Sequence, residues 1–184
     1  MVLAASPIST AHLRLDPLRV DDADEMAGVL ADPRMYEFTG GQPPTTEQLR
    51  DRYRRMVVGH SGDGTEWWLN WIVRAAVGAT SSDAVADAVA DAVAVGVVQA
   101  TVSDDGATAE VAWEIGVPWQ GRGFASEAAT SMVAWLIGAG VGTVTACIHP
   151  DHDASAAVAS SAGLAPTSEL VDGERVWRRA SGTG

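Results

Sequence analysis

Hydrophobic positions recur with two different periods along this chain, and the changes of period mark out its elements. Residues 12–19, His-Leu-Arg-Leu-Asp-Pro-Leu-Arg, alternate with a period close to two and predict a first strand. Pro17 cannot donate to a ladder, so that strand lies at an edge or carries a bulge. Asp21 or Asp22 caps a helix reaching about residue 30, with acids in its first turn. Thr45 or Thr46, followed by Glu47, opens a second helix in which Leu49, Tyr53, Met56 and Val57 share a face. Residues 66–73 are aromatic and β-branched, which predicts a strand. Residues 95–103 and 108–117 predict a hairpin across Asp104-Asp105-Gly106. A helix over 124–138, a strand over 143–148 and a helix over 155–162 follow, then a hairpin over 169–180 turning at Asp172-Gly173. The order is strand, two helices, three strands, helix, strand, helix, two strands. That predicts an α+β or mixed α/β chain around one central sheet.

One stretch follows neither period. Residues 79–94 repeat Asp-Ala-Val-Ala, with Asp83, Asp87 and Asp91 four apart, a spacing that stacks like charges on one face of a helix. The unit is far shorter than the roughly 20 residues of an architectural repeat. A low-complexity insertion within a loop is expected there.

Composition narrows the class. At 184 residues, 47% hydrophobic and 20% charged, the chain has the size and balance of a single globular domain over 1–184. Its 24 acidic residues face 12 basic ones, all arginine, for a net charge of −12. That balance argues against non-specific nucleic-acid binding, which needs clustered positive charge. It suits a cationic acceptor, and it serves solubility equally well. Cys147 is the only cysteine, so no internal disulfide forms, and a buried strand position is expected for it. Residues 1–11 place no basic residue ahead of their short apolar run and do not read as a secretory signal. The apolar stretch 131–148 is broken by Gly138, Gly140 and Gly142, which fits helix, turn and strand rather than a membrane span. A cytoplasmic protein with no membrane contact is expected.

Candidate chemistry concentrates in residues 115–127, Ile-Gly-Val-Pro-Trp-Gln-Gly-Arg-Gly-Phe-Ala-Ser-Glu, where a strand gives way to a helix. Gly121 and Gly123 allow close backbone approach, and the first helical turn leaves N–H donors without internal partners. With the helix dipole, these make an anion site suited to a pyrophosphate, and Arg122 adds a positive charge. The segment is not a dinucleotide fingerprint, because the third glycine and the downstream acid are missing. The chain has no lysine, which excludes a P-loop.

Gln120-Gly121-Arg122-Gly123-Phe124-Ala125 resembles the Gln/Arg-x-x-Gly-x-Gly/Ala motif of the GNAT N-acetyltransferase superfamily. Residues 109–128 resemble the subgroup acting on N-terminal amines of ribosomal proteins. His149-Pro150-Asp151-His152-Asp153-Ala154-Ser155, then Ala162-Gly163-Leu164, resembles the family's strand–Asn-x-x-Ser–helix–Gly-Phe segment. The resemblance implies a splayed, mostly antiparallel sheet flanked by helices, with acetyl-CoA as co-substrate and no metal. It assigns the pyrophosphate to Gln120, Gly121, Arg122, Gly123, Phe124, Ala125 and Ser126, and pantetheine to main-chain groups around Ile115 and Val117. His152 stands where the family has a cofactor-contacting Asn, and Ala159 where many members have a proton-donating Tyr.

The implied reaction needs a neutral amine, a donor to the carbonyl oxyanion and a proton for the leaving thiolate. An N–H near Ile115 would serve the oxyanion, and Ser155 either protonates sulfur or caps its helix, or does both. Glu114 and Glu110 share a strand face and are the candidate bases, Glu114 lying nearer the loop; His149 and His152 are further candidates for proton relay. A metal at His149, Asp151, His152 and Asp153 is disfavoured by loop geometry. Trp68 faces opposite Trp67 and Trp71, so one set is core. Tyr36, Glu37 and Phe38 fall where the family's acceptor loop sits. The expected acceptor is a primary amine, on a small molecule or a protein N-terminus, and monomer and homodimer both stay open. The rival reading is an acyl-CoA-binding module without turnover, in a sensory or scaffolding role.

Overall fold

The computed structural model describes residues 3–76 and 92–180. Eight strands form one sheet: β1 (Ile8–Ser9), β2 (Leu13–Pro17), β3 (Trp67–Ala76), β4 (Ala92–Ser103), β5 (Thr108–Ile115), β6 (Thr143–Ile148), β7 (Ala165–Val171) and β8 (Glu174–Ala180). Helices α1 (Ala23–Val29) and α2 (Thr46–Met56) precede β3, α3 (Phe124–Gly138) links β5 to β6, and α4 (Asp153–Ser161) follows β6. The spatial order is β1-β2-β3-β4-β5-β6-β8-β7, antiparallel throughout except between β5 and β6. The mixed α/β class agrees with the sequence pattern and the mostly antiparallel sheet with the family resemblance; among the strands, the pattern missed the two-residue β1.

Each face of the sheet buries its own core. Leu15, Trp71, Val95 and Val111 pack with Met132, Val133 and Leu136 of α3 and Ala159 of α4. On the other face Ile72 and Val97 pack with Met26 and Leu30 at α1 and Leu49 and Tyr53 of α2. Period-two alternation on the strands meeting helical stripes produces these two layers. Thr45 caps α2 as expected, and Gln48 completes the box by accepting the Thr45 amide at 2.9 Å. Val57 ends outside the predicted stripe, 46% exposed beyond the last turn.

Two irregularities shape the centre of the sheet. Val73 pairs with Gly96 and Arg74 with Ala94, so Val95 is an extra residue, a β-bulge in β4. The bulge turns both Val95 and Val98 to the α3 face. Arg74 beside it is 15% exposed and bonds Asp22 and Glu25, each at 2.8 Å, while Glu25 accepts the Ala94 amide at 2.6 Å. These contacts tie the bulge to the first helix. The second irregularity is a splay. β5 and β6 pair in parallel only at Thr108–Thr143, Ala109–Val144 and Glu110–Thr145, and separate beyond that point.

Three boundaries correct the sequence reading. Ala92, Val93 and Ala94, assigned to the low-complexity tract, belong to β4, while Asp83, Asp87 and Asp91 lie outside the described residues. Val117 belongs to a 3-10 turn over Val117–Trp119 rather than to the strand, because Pro118 cannot donate to a ladder. β7 starts at Ala165, four residues ahead of the predicted hairpin. Among the described residues no helix is long and apolar enough to cross a membrane.

The bulge supplies a test. A Cβ on Gly96 would lie 2.2 Å from the Glu114 carbonyl oxygen, a main-chain atom that cannot yield without moving β5. Gly96→Ala is expected to cost about 2 kcal/mol or more of stability. Denaturant unfolding measures it, and a change below about 0.5 kcal/mol would mean that the strands do not approach so closely.

Candidate active site

The splay opens into a cavity of about 690 Å3, bounded by β5, β6, the loop 119–126, the start of α4 and residues 34–39. The loop is built by its glycines. Gly121 has φ 73° and Gly123 φ 82°, the left-handed region that other L residues enter only with strain. Gly123 is the N-cap residue of the 15-residue α3, so the cap contributes no side chain. A Cβ at Gly121 or Gly123 would meet no protein atom within 4 Å, so each faces open space. Phe124, Ala125 and Ser126 also line the cavity, bringing the unpaired donors of the first helical turn to it.

The glutamate of that turn points away. Glu127 Oε1 accepts the Thr10 hydroxyl at 2.5 Å and the His12 amide at 2.8 Å, and Oε2 lies 3.0 Å from His12 Nδ1. Burial pushes the Glu127 carboxyl up, but these bonds outweigh it and hold the group below its usual range. Its charge is therefore held by the segment before β2, leaving the loop free of a carboxylate. Nothing in the spacing of residues 115–127 signals this contact.

The remaining loop residues divide. Gln120 lines the cavity, and its Nε2 donates to the Ile115 carbonyl at 2.9 Å, clamping the loop to the end of β5. Arg122 stacks over the Trp119 ring at 5.1 Å and is not part of the cavity wall. Ile115 lines the cavity whereas Val117 does not. The Gly116 amide donates to the Val95 carbonyl, and strand alternation turns the neighbouring Ile115 N–H the other way, into the splay.

The candidate catalytic groups also separate. Glu114 and Ser155 line the cavity, and Glu110 stands outside it, exposed, in the last residue pair between β5 and β6. Ser155 is not the helix cap: His152 occupies the N-cap position of α4, with its Nδ1 accepting the Ser155 amide at 3.5 Å. Ala159 is fully buried, so its place in the motif belongs to the core. Burial chiefly raises the phenols of Tyr36 and Tyr53, Tyr53 to about 12, and the Glu114 carboxylate adds to both shifts. Both phenols therefore stay protonated near neutral pH.

Segment 34–39 completes the wall. Phe38 stacks on the His152 ring, with centroids 4.3 Å apart and planes inclined by 20°, and approaches His149 at 5.4 Å. Tyr36 instead donates its hydroxyl to the Leu30 carbonyl at 3.0 Å. Cys147 and Glu174, which no motif had marked, also line the cavity, because β6 and β8 pair beside the splay. Trp71 is the buried member of its tryptophan cluster, edge-on to Trp135 at 5.5 Å. Among the described residues no cluster of His, Cys, Asp and Glu has the arrangement of a metal site.

Residues 12–165 match the family described as acetyltransferase (GNAT) domain, which is most of the chain. The chain belongs to this family. The GNAT chain is therefore an acyltransferase, with acetyl-CoA as its co-substrate. The fold is similar to an acetyltransferase from Agrobacterium tumefaciens str. C58 at 20% identity and TM-score 0.69, covering 98% of each chain. It is also similar to RimL, a ribosomal L7/L12 alpha-N-protein acetyltransferase solved with coenzyme A, at 12% identity and TM-score 0.73, covering 95% of this chain and 98% of that one. A third similar structure is MccE, a Microcin C7 self-immunity acetyltransferase solved with acetyl-CoA and AMP, at 12% identity and TM-score 0.71, covering 94% of both chains. No curated protein matches the sequence.

The cap of the GNAT chain's α4 is sensitive to protonation. Burial lowers the His152 pKa and neighbouring His149 lowers it further, while Glu37 and Asp153 act in the opposite sense. Its folded value thus lies below the ordinary 6.5, and the fold favours the neutral ring that accepts the Ser155 amide. The stability it contributes is present in full above the unfolded value and is lost as pH falls through the folded one. Thermal melts of wild type and His152→Asn between pH 7.5 and pH 5 test this. Asparagine keeps a neutral cap, so wild type is expected to lose more stability on acidification; parallel curves would remove the cap role.

Proposed function

We propose that the chain transfers the acetyl group of acetyl-CoA to a primary amine by direct attack in a ternary complex. The observation that carries this reading is a single cavity lined by both the donor-rich start of α3 and the pair Glu114 and Ser155. The residues fit the co-substrate: two side-chain-free positions and the donors of the first helical turn suit a diphosphate. The open main-chain edge of β5 suits an extended amide chain laid along the splay.

In the proposed reaction Glu114 accepts a proton from the acceptor ammonium, directly or through water, leaving a nucleophilic nitrogen. That nitrogen attacks the thioester carbonyl. The Ile115 N–H, turned into the splay, donates to the developing oxyanion, an interaction typically worth about 3 kcal/mol of barrier. Collapse breaks the C–S bond, and Ser155 delivers a proton to the departing thiolate, directly or through water. Among the described residues no protein group holds the Ser155 hydroxyl, which leaves it available for this step. The products are the N-acetylated amine and CoA. Arg122, stacked outside the cavity, is assigned to the outer part of the co-substrate.

Thiol release from acetyl-CoA against a panel of amines tests the reaction. Saturable binding without CoA release would establish the non-catalytic module instead. Ser155→Ala is expected to lower kcat by about 100-fold with an unchanged melt, and full turnover would remove serine from the mechanism. Gly123→Ala tests the loop. Since a Cβ there meets no protein atom within 4 Å, the substitution strains the backbone by about 1 kcal/mol and intrudes only on the ligand. Acetyl-CoA affinity is expected to fall tenfold or more by calorimetry, and unchanged affinity would contradict the assigned loop.

A further inference from the structure

The charged lining of the cavity is one-sided. Glu37, Glu114 and Glu174 reach it from three separate segments: the loop after α1, β5 and the start of β8. Arg34 is the single arginine among the described lining residues. Its guanidinium is already neutralised, bonding Asp32 at 3.0, 3.2 and 2.6 Å, and Asp32 is not part of the wall. Arg122 sits over Trp119 instead of facing inward. The field extends to Cys147 on β6, whose thiol is raised first by burial and then by Glu110, Glu174, Glu169 and Asp172. Glu169 is paired with Arg178 at 2.7 Å, while Glu110 and Glu174 have no ion pair among the described residues.

One carboxylate is enough to receive the reacting ammonium and take its proton. Two further carboxylates in the same cavity find no counterpart on a singly charged acceptor, whereas a second cationic nitrogen complements them. The main chain of a protein N-terminus brings one ammonium followed by neutral peptide groups, so a second cation there depends on a basic side chain. A free amino acid brings a carboxylate beside its amine, which like charges repel. We infer that the acceptor is a small polycationic amine, with one reacting primary amine and at least one further cationic nitrogen held by Glu37 and Glu174. This rests on the transferase reading and specifies the substrate class of the same cavity.

The experiment is steady-state CoA release with propylamine, 1,4-diaminobutane, spermidine, glycine and an N-terminal tripeptide, in low and high salt. The expected order in kcat/KM places the diamine and triamine at least tenfold above propylamine, with glycine lowest. The advantage should shrink as salt rises, because screening acts on the second charge. The double variant Glu37→Gln/Glu174→Gln is expected to cut the diamine-to-propylamine ratio about tenfold, a ratio that a general loss of folding would not move. The salt series on the unaltered chain gives the same information without a substitution. Equal use of mono- and diamines, or preference for the tripeptide, would overturn the inference while leaving the transferase reading intact. No release with any amine would overturn both.

Discussion

Beyond Glu110 and Thr145 the facing edges of β5 and β6 no longer pair with each other, and the main-chain groups left open there create the site. On its opposite edge β6 pairs with β8 along its whole length, Thr143–Ile148. β5 stays with β4 and presents its other edge to open space, its final carbonyl taken by the Gln120 side chain. An unpaired edge inside a protein is ordinarily a liability. Here it borders a cavity, where a ligand can supply the missing partners. The bulge at Val95 sits opposite the end of β5, where Gly96 pairs with Ile115 and the Val95 carbonyl accepts the Gly116 amide.

Charge is distributed to match that geometry. Around the loop, carboxylates are withdrawn or absent: Glu127 is bonded to Thr10 and His12, and the helix cap is glycine. Across the cavity, Glu37, Glu114 and Glu174 remain on the wall while the nearby arginines are engaged with Asp32 or Trp119. One region is thus suited to an anion and another to a cation, as the two substrates of the proposed transfer require. The same pattern gives the chain's net charge of −12 a local meaning that composition alone lacks.

The α4 terminus joins these two regions. His152 holds the first turn, stacks on Phe38 of the segment 34–39 and faces the cavity that Ser155 also lines. At the position where the resemblance expects an Asn, His152 thus caps the helix. The contact pins residues 34–39 to the rest of the wall.

Much of the fold was legible in order and type, because strand and helix periods are local properties of the chain. Residues 124–138 and 143–148 were bounded correctly from apolar spacing, capping chemistry and glycines. The glycine loop was legible too, since a left-handed backbone at a helix start leaves its mark in residue identity. The splay, the bulge, the capping role of His152 and the convergence of Glu114, Cys147 and Glu174 were not, because they depend on which strands stop pairing. Gln120 and Arg122 belonged to one motif, yet one clamps a strand end and the other lies over an indole. Local sequence thus settled most of the elements and the glycine turn ahead of α3, whereas the composition of the cavity came from contacts between residues far apart in the chain, which no short-range pattern encodes.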